Sequence, residues 1–190
     1  DFGSVVVGAP EFLLGSREDT WGIDRWAQQG YRVLLCAQYG APLEAGRLDS
    51  GLISPIALIL LTGKLRPKAR ETFAYFAQQG VTVKVISGDN PATVSQIAQQ
   101  AGIPGSEQYI DASTLDTPEA IREAALKYTV FGRVTPQQKK ELVAALQKKK
   151  HTVAMTGDGV NDLLAMKQAN CAIAMASGAE AASSLASLVL

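Results

Sequence analysis

The chain has 190 residues, 47% of them hydrophobic and 19% charged, which suits one or two compact domains with a real core and excludes a disordered segment. Lys plus Arg equals Asp plus Glu at 18 each, and beyond a small basic spot, QKKKH at 147–151, no run of one sign points to a nucleic-acid partner. The longest aliphatic run, IALILL at 56–61, is far shorter than the ~20 residues of a membrane span, and no signal peptide opens the chain.

The first forty or so residues contain SVVVGAPEFLL, the amphipathic stretch IDRWAQQG and YRVLLCAQY. Together they read as the tail of a mixed α/β or antiparallel unit. Trp21 and Trp26 fall on a predicted helix there and suit packing. Cys36 and Cys171 sit in apolar, strand-like contexts without metal-ligand spacing, so both are expected as buried free thiols in a reducing compartment. The Gly-, Pro- and Ser-bearing segment 40–55 is the expected boundary, giving domains at 1–50 and 51–190.

From residue 55 onward apolar runs alternate with amphipathic stretches, the pattern of a parallel sheet flanked by helices. IALILLT (56–62) is a strand candidate. PKARETFAYFAQQG follows as a helix, with Pro67 near its start and Gly80 at its stop. VTVKVIS is the next strand, ending at Ser87. Asn90 and Pro91 open a helix that runs to Gly102, with Val94, Ile97, Ala98 and Ala101 at helical spacing. Thr135, Pro136 and Gln138 predict a capped helix of the T-x-x-Q type that runs through Leu142, Val143 and Leu146 to a lysine-rich end. TVAMT is a strand, LLAMKQA a helix, CAIAM a strand and SGAEAASSLAS a helix, while SLVL starts another strand. His151, among lysines, reads as solvated.

Ligands of open α/β sheets collect at the carboxyl ends of the strands. SGD (87–89) and GDGVND (157–162) occupy those positions. The second places Asp158 and Asp162 four residues apart among glycines, where the two carboxylates repel unless a hard cation sits between or beside them. Mg²⁺ fits, since one or two protein carboxylates plus substrate phosphate suffice. Ser87 and the backbone N–H of Gly88 can donate to phosphate oxygens beside a helix N-terminus, and Lys139 can neutralise phosphoryl charge. There is no Walker loop and no G-x-G-x-x-G.

MTGDGVNDLLAMKQANCAIAM at 155–175, together with GAPE at 8–11, GYRVLLCA at 30–37, LRP at 65–67, SGD at 87–89, GRVTPQQK at 132–139 and AEAASSLASLVL at 179–190, resembles the P-type cation-transporting ATPases. The phosphorylation domain of that family is haloacid-dehalogenase-like. The resemblance implies a Rossmann-type parallel sheet flanked by helices, plus a piece of a mixed α/β nucleotide-binding domain, and a cytoplasmic location within an integral membrane protein. It implies ATP and Mg²⁺ as cofactors, with Asp158 as the metal ligand, Asn161 and Asp162 organising the site, Lys139 holding the phosphoryl group and Ser87 with Gly88 donating to it. Arg32, Arg66 and Arg133 match family arginines that meet the nucleotide or its hinge, with Asp89 near the same contact.

Val7 stands where the family carries Lys before GAPE, and Gly63 stands where it carries Asp two residues before LRP. The family's phosphorylated Asp lies in a D-K-T-G-T string that these 190 residues do not contain. The expectation is therefore a fragment of a larger pump for a hard cation such as Ca²⁺ or Mg²⁺. Its partners would be the transmembrane and actuator domains of the same polypeptide, and it would be inactive alone. A soluble phosphatase of the same superfamily and a non-catalytic Mg²⁺- or nucleotide-binding module stay open as alternatives.

Overall fold

The structure, a computed structural model, describes residues 4–15, 20–42 and 48–190. It divides into two compact units, 1–66 and 67–190.

The first unit is built on an antiparallel sheet in the order β1 (Ser4–Gly8), β2, β3. Helices α1 (Pro10–Leu14) and α2 (Ile23–Gln28) precede β2 (Arg32–Tyr39) in the chain, and β3 (Ile53–Leu61) follows it. Alternation in β2 sends Leu35, Ala37 and Tyr39 into a core with Leu13, Leu14 and Ile53, as a strand with one covered face requires. The opposite face, with Val5, Val7, Ile59 and Leu61, stays exposed. Pro55 has no N–H to give a ladder. It lies on the outer strand, at the register shift between Cys36 and Ala37, where such a residue is tolerated.

IALILLT thus belongs to this antiparallel sheet, pairing with β2 from Ile53 to Leu61, and not to the parallel sheet where its apolar run placed it. A run that is apolar on both faces does not distinguish the two settings. Because β3 pairs with β2, the compact units divide after Arg66; residues 43–47 of the expected boundary segment lie outside the described residues. Trp21 precedes α2, and Trp26 packs edge-on against Tyr31 at 5.7 Å. Cys36 and Cys171 are free, as expected, but half-buried rather than buried.

The second unit begins with α3 (Ala69–Gln78) and β4 (Val85–Ile86), followed by α4 (Pro91–Gln100), β5 (Tyr109–Asp111) and α5 (Pro118–Lys127). Then come β6 (Val130–Gly132), α6 (Pro136–Lys148), β7 (Ala154–Gly157) and α7 (Leu163–Gln168). The chain ends with β8 (Cys171–Ala174), α8 (Glu180–Leu185) and β9 (Leu188–Val189). All strand pairs are parallel, in two sheets ordered β4-β6-β5 and β7-β8-β9.

Phe131 of β6 centres one core with Ile121, Ala124, Val134 and Leu142. Met166, Ala172, Ala174 and Ala182 form another. The connecting helices start as their sequences dictate: the Asn90 side chain accepts the N–H groups of Ala92 and Thr93, and Thr117 caps α5 through Ala120. By contrast α3 buries no residue, leaving Tyr75 and Phe76 exposed.

Gly132, at the end of β6, is the tightest backbone approach in this unit. A Cβ there would lie 2.4 Å from the Cα and N of Pro91, both backbone atoms at the start of α4. Gly132→Ala is expected to destabilise the chain by ~3 kcal/mol, at the upper end of the overpacking range. Gly159→Ala, whose Cβ meets nothing closer than 3.9 Å, should change stability by less than ~1 kcal/mol. Urea midpoints compare the two, and equal midpoints would contradict the packing.

Candidate functional site

The turn after β7 folds back on its own strand. Gly157 ends the strand, and a Cβ on it would lie 2.5 Å from Cβ of Asp162, so the absence of a side chain is what lets Asp162 sit there. The Asp162 N–H donates to the Gly159 carbonyl at 3.1 Å, closing a single helical turn. Asp162 is buried. Its Oδ1 accepts from Lys139 Nζ at 2.6 Å and its Oδ2 from the Gly159 N–H at 3.4 Å.

Lys139 is held by α6. Thr135 and Gln138 form a reciprocal capping box: the Gln138 N–H donates to Thr135 Oγ1 at 3.3 Å, and the Thr135 N–H to Gln138 Oε1 at 3.0 Å. Gln138 Nε2 also reaches the Ala112 carbonyl at 2.8 Å, so the residue before Lys139 ties the start of α6 to the turn after β5. Lys139 itself is buried. Neither charge could be buried alone without a large desolvation cost, and the close, charge-assisted contact between them makes the pair tolerable.

Asp158 is built differently. Its carbonyl accepts from the Ala179 N–H at 2.7 Å, and a Cβ on Gly178 would come within 2.6 Å of that oxygen. The backbone is thereby clamped while the side chain is exposed and makes no hydrogen bond or ion pair with the described residues. Mutual repulsion of the two aspartates is thus relieved on one side by Lys139, and Asp158 is the carboxylate left open to a ligand. Asn161 is exposed on the same turn.

The Ser87–Gly88–Asp89 turn is fixed by the segment leading from β6 into α6. The Ser87 N–H donates to the Phe131 carbonyl at 2.9 Å, the Val134 N–H to the Ser87 carbonyl at 3.0 Å, and the Arg133 N–H to the Asp89 carbonyl at 2.9 Å. Ser87 Oγ accepts from the Asp89 N–H at 3.1 Å, and its hydroxyl proton can still be donated. Gly88 is exposed, with nothing within 4 Å of where a Cβ would be.

Arg133 lies in the left-handed region, φ 52, and its Nη1 donates to Asp111 Oδ2 at 2.5 Å. The resemblance placed Arg133 at the nucleotide or its hinge; here its guanidinium is bound to the end of β5. Asp111, which the sequence did not single out, also accepts the Ser113 hydroxyl at 2.6 Å and the Ser113 N–H at 3.0 Å. Partial burial pushes the Asp111 carboxyl up, but the Ser113 hydrogen bonds and the Arg133 guanidinium outweigh it and hold the group below its ordinary value.

Lys139, Asp162, Asn161, Asp158, Ser87, Gly88 and Asp89 therefore occupy strand ends and one helix start of a single unit. Arg32, on β2, and Arg66 are exposed residues of the first unit. Among the described residues no group of three or more His, Cys, Asp or Glu side chains comes together as a metal cage. One open carboxylate is too few for a structural Zn²⁺ or Ca²⁺ site but fits Mg²⁺, which keeps waters and shares its shell with phosphate.

The haloacid dehalogenase-like hydrolase profile matches residues 7–170. Over its whole length the chain is 45% identical to the calcium-transporting ATPase CtpE of Mycobacterium tuberculosis and 43% identical to that of Mycolicibacterium smegmatis. It is 43% identical over 99% of its length to a probable cation-transporting ATPase, exp7, of Streptococcus pneumoniae. The resemblance drawn from the motifs therefore holds along the entire chain, which spans 24% of the length of each of these relatives. Among the described residues no helix is long and apolar enough to cross a membrane.

Two measurements follow from this geometry. Asp162→Asn strands a buried ammonium and should cost ~3–5 kcal/mol in chemical denaturation, whereas the double variant Lys139→Met with Asp162→Leu should recover most of that loss; equal losses would deny that the pair is coupled. For Asp111, the folded carboxyl lies below the unfolded value of ~3.9, so its stabilisation is complete above that pH and fades as pH falls through the lower folded value. Wild type should exceed Asp111→Asn by ~0.5–1 kcal/mol at neutral pH, and the two should converge in acid.

Proposed function

Because the chain belongs to the haloacid dehalogenase-like hydrolase family, we propose that it forms the Mg²⁺- and phosphoryl-handling half of the active site of an ATP-driven cation pump with an aspartyl-phosphate intermediate. The observation that carries this reading is the contrast between a buried Lys139–Asp162 pair at 2.6 Å and an open Asp158 on the same turn. That arrangement offers one carboxylate to a metal, and it leaves a lysine with two further N–H donors beside it for phosphoryl oxygens. The relatives' printed names support the pump, and the calcium-transporting ones support Ca²⁺ as the cation moved.

On this reading the first compact unit is the C-terminal part of a nucleotide-binding domain, with Arg32 and Arg66 offering guanidinium groups to ATP. The second unit is the phosphorylation domain. Both β4 and β7 are outer strands of their sheets, so a strand carrying the nucleophilic aspartate and pairing with either would bring its carboxylate to the ends where Ser87, Lys139 and Asp158 lie. The unit would sit on the cytoplasmic side of the membrane-embedded parent.

In the reaction an oxygen of that aspartate attacks the γ-phosphorus of ATP, the bond to the β–γ bridging oxygen breaks, and ADP leaves. Water later attacks the phosphorus, which releases inorganic phosphate and restores the carboxylate. The Gly88 N–H, the Ser87 hydroxyl and the Lys139 ammonium would, on this reading, donate to the equatorial oxygens, on which charge is spread in the transition state. Asp162 orients Lys139, and Asp158, with Asn161 beside it, would hold Mg²⁺. When bound, Mg²⁺ neutralises phosphate charge as a Lewis acid.

The test is ATP-dependent phosphorylation of the membrane-embedded parent protein, with candidate cations added singly. An acid-stable, hydroxylamine-sensitive phosphoprotein that Ca²⁺ stimulates, and that Asp158→Asn lowers by ~100-fold or more, is the expected result. Absence of a phosphoprotein under every cation, with turnover of soluble phosphomonoesters, would replace the pump with a phosphatase.

A further inference from the structure

The second unit segregates charge along its strand axis. Its strands are parallel, so the helices joining them run back and end where the strands begin. At that pole the ends of α6 and α7 are locked side by side: Gln147 Nε2 donates to the Gln168 carbonyl at 2.9 Å, Gln168 Nε2 returns a bond to Gln147 Oε1 at 2.8 Å, and Asn170 Oδ1 accepts from Gln147 Nε2 and the Val153 N–H.

Around this junction lie Lys148, Lys149, Lys150 and His151 at the end of α6, Lys167 at the end of α7 and Lys127 at the end of α5, all exposed. None of these five lysines forms an ion pair among the described residues. The segments 79–84, 101–108, 126–129, 147–153 and 168–170 carry one carboxylate, Glu107. Asp89, Asp111, Asp116, Asp158 and Asp162 all lie at the other pole, after the strands. The amino pole is thus a basic face, whereas at the carboxyl pole Lys139 and Arg133 pair with Asp162 and Asp111 and leave Asp89, Asp116 and Asp158 beside Lys140.

Cations at a helix end suit its dipole, which accounts for Lys127, Lys148 and Lys167 but not for Lys149 and Lys150. Lys150 adopts φ 65, the left-handed position after a helix where glycine is the ordinary residue. A lysine there carries a backbone strain that glycine would not.

We infer that this basic pole is a docking surface for an anionic membrane face. Lysine heads act as point charges without the planar fork of arginine, which suits a diffuse layer of phospholipid phosphates. Of the two rings on those segments, Tyr128 is half-buried with Lys127 Nζ 5.2 Å from its centroid and His151 is exposed among lysines, and neither Phe nor Trp is present to extend a stacking platform for bases. The choice of lipid over other polyanions rests on the proposal that the chain belongs to a membrane pump. A domain standing on this pole would direct its Mg²⁺-binding end away from the bilayer.

Cosedimentation of the 190-residue chain with vesicles tests the surface. Binding to mixed phosphatidylglycerol–phosphatidylcholine vesicles, its loss as salt shortens the Debye length to roughly 3 Å, and no binding to phosphatidylcholine alone are expected. Each lysine near the surface contributes about fivefold, so Lys148→Gln, Lys149→Gln and Lys150→Gln together should weaken binding by roughly a hundredfold, and Lys64→Gln in the first unit should not.

Lys150→Gly should raise the melting temperature while weakening lipid binding about fivefold, opposite changes that a purely structural lysine would not give. Undiminished binding by the triple variant, equal binding to neutral vesicles, or displacement by duplex DNA at matched charge would overturn the assignment. Phosphoenzyme formation is not read in this assay, so failure of the lipid arm and failure of the pump proposal are seen separately.

Discussion

A lysine and an aspartate that neither strand sequence nor helix periodicity brings together in the chain, Lys139 and Asp162, meet at 2.6 Å in a buried position. Much of the second unit is arranged around that contact. Lys139 stands near the start of α6, which follows β6 in one sheet; Asp162 follows β7, which belongs to the other. The two sheets share no strand pairing, and the ion pair joins them at their carboxyl ends as the Gln147–Gln168 bonds do at the other end of α6. The supporting devices are local: a capping box that fixes where α6 begins, and a glycine at 157 that lets the aspartate fold onto its own strand. Each would be an ordinary feature alone. Together they make burial of two charges possible, because a misplaced partner would leave one of them desolvated and unpaired.

The same contact divides labour between two carboxylates of one turn. Asp162 spends its charge inside the protein, whereas Asp158 has its backbone clamped by Ala179 and its side chain exposed. The Ser87–Asp89 turn reaches the same framework through the backbone N–H groups of Arg133 and Val134, only a few residues before Lys139. The left-handed turn at Arg133 is held by Asp111, so a carboxylate remote in sequence helps set the turn that offers Gly88.

Legibility in the sequence followed the strength of local signals. The helix starts at Asn90 and Thr135 were readable because a side chain and a proline specify them, and the structure shows both caps. The GDGVND turn was readable because two acids among glycines make poor sense in an ordinary loop. The setting of Ile53–Leu61 was not readable, since an aliphatic run fits an antiparallel outer strand as well as a parallel one. Strand β5 and Asp111 carry no sequence signal because three half-exposed residues show no periodicity, although Thr117-Pro118 repeats the cap-and-proline start of Thr135-Pro136. The pairing of Asp162 with Lys139, and of Asp111 with Arg133, is tertiary information: 23 and 22 residues separate the partners, and no spacing rule encodes either.

Charge segregation follows from the same topology. When strands are parallel and joined by helices, each joining helix begins at the carboxyl pole and ends at the amino pole, so the preference of acids for helix starts and cations for helix ends acts in one direction along the joining helices. In α6 a single rod carries both outcomes, with Lys139 paired near its start and Lys148 exposed at its end, ~1.5 Å of rise per residue apart. The exception at the start is Lys139, which is tolerated there because Asp162 neutralises it. Lys150, in a backbone state that suits glycine, marks the end where cations exceed what the helix dipole requires. One architecture thus sets a polar site at one end of the unit and a basic face at the other, and the rigid body of α6 fixes the distance between them.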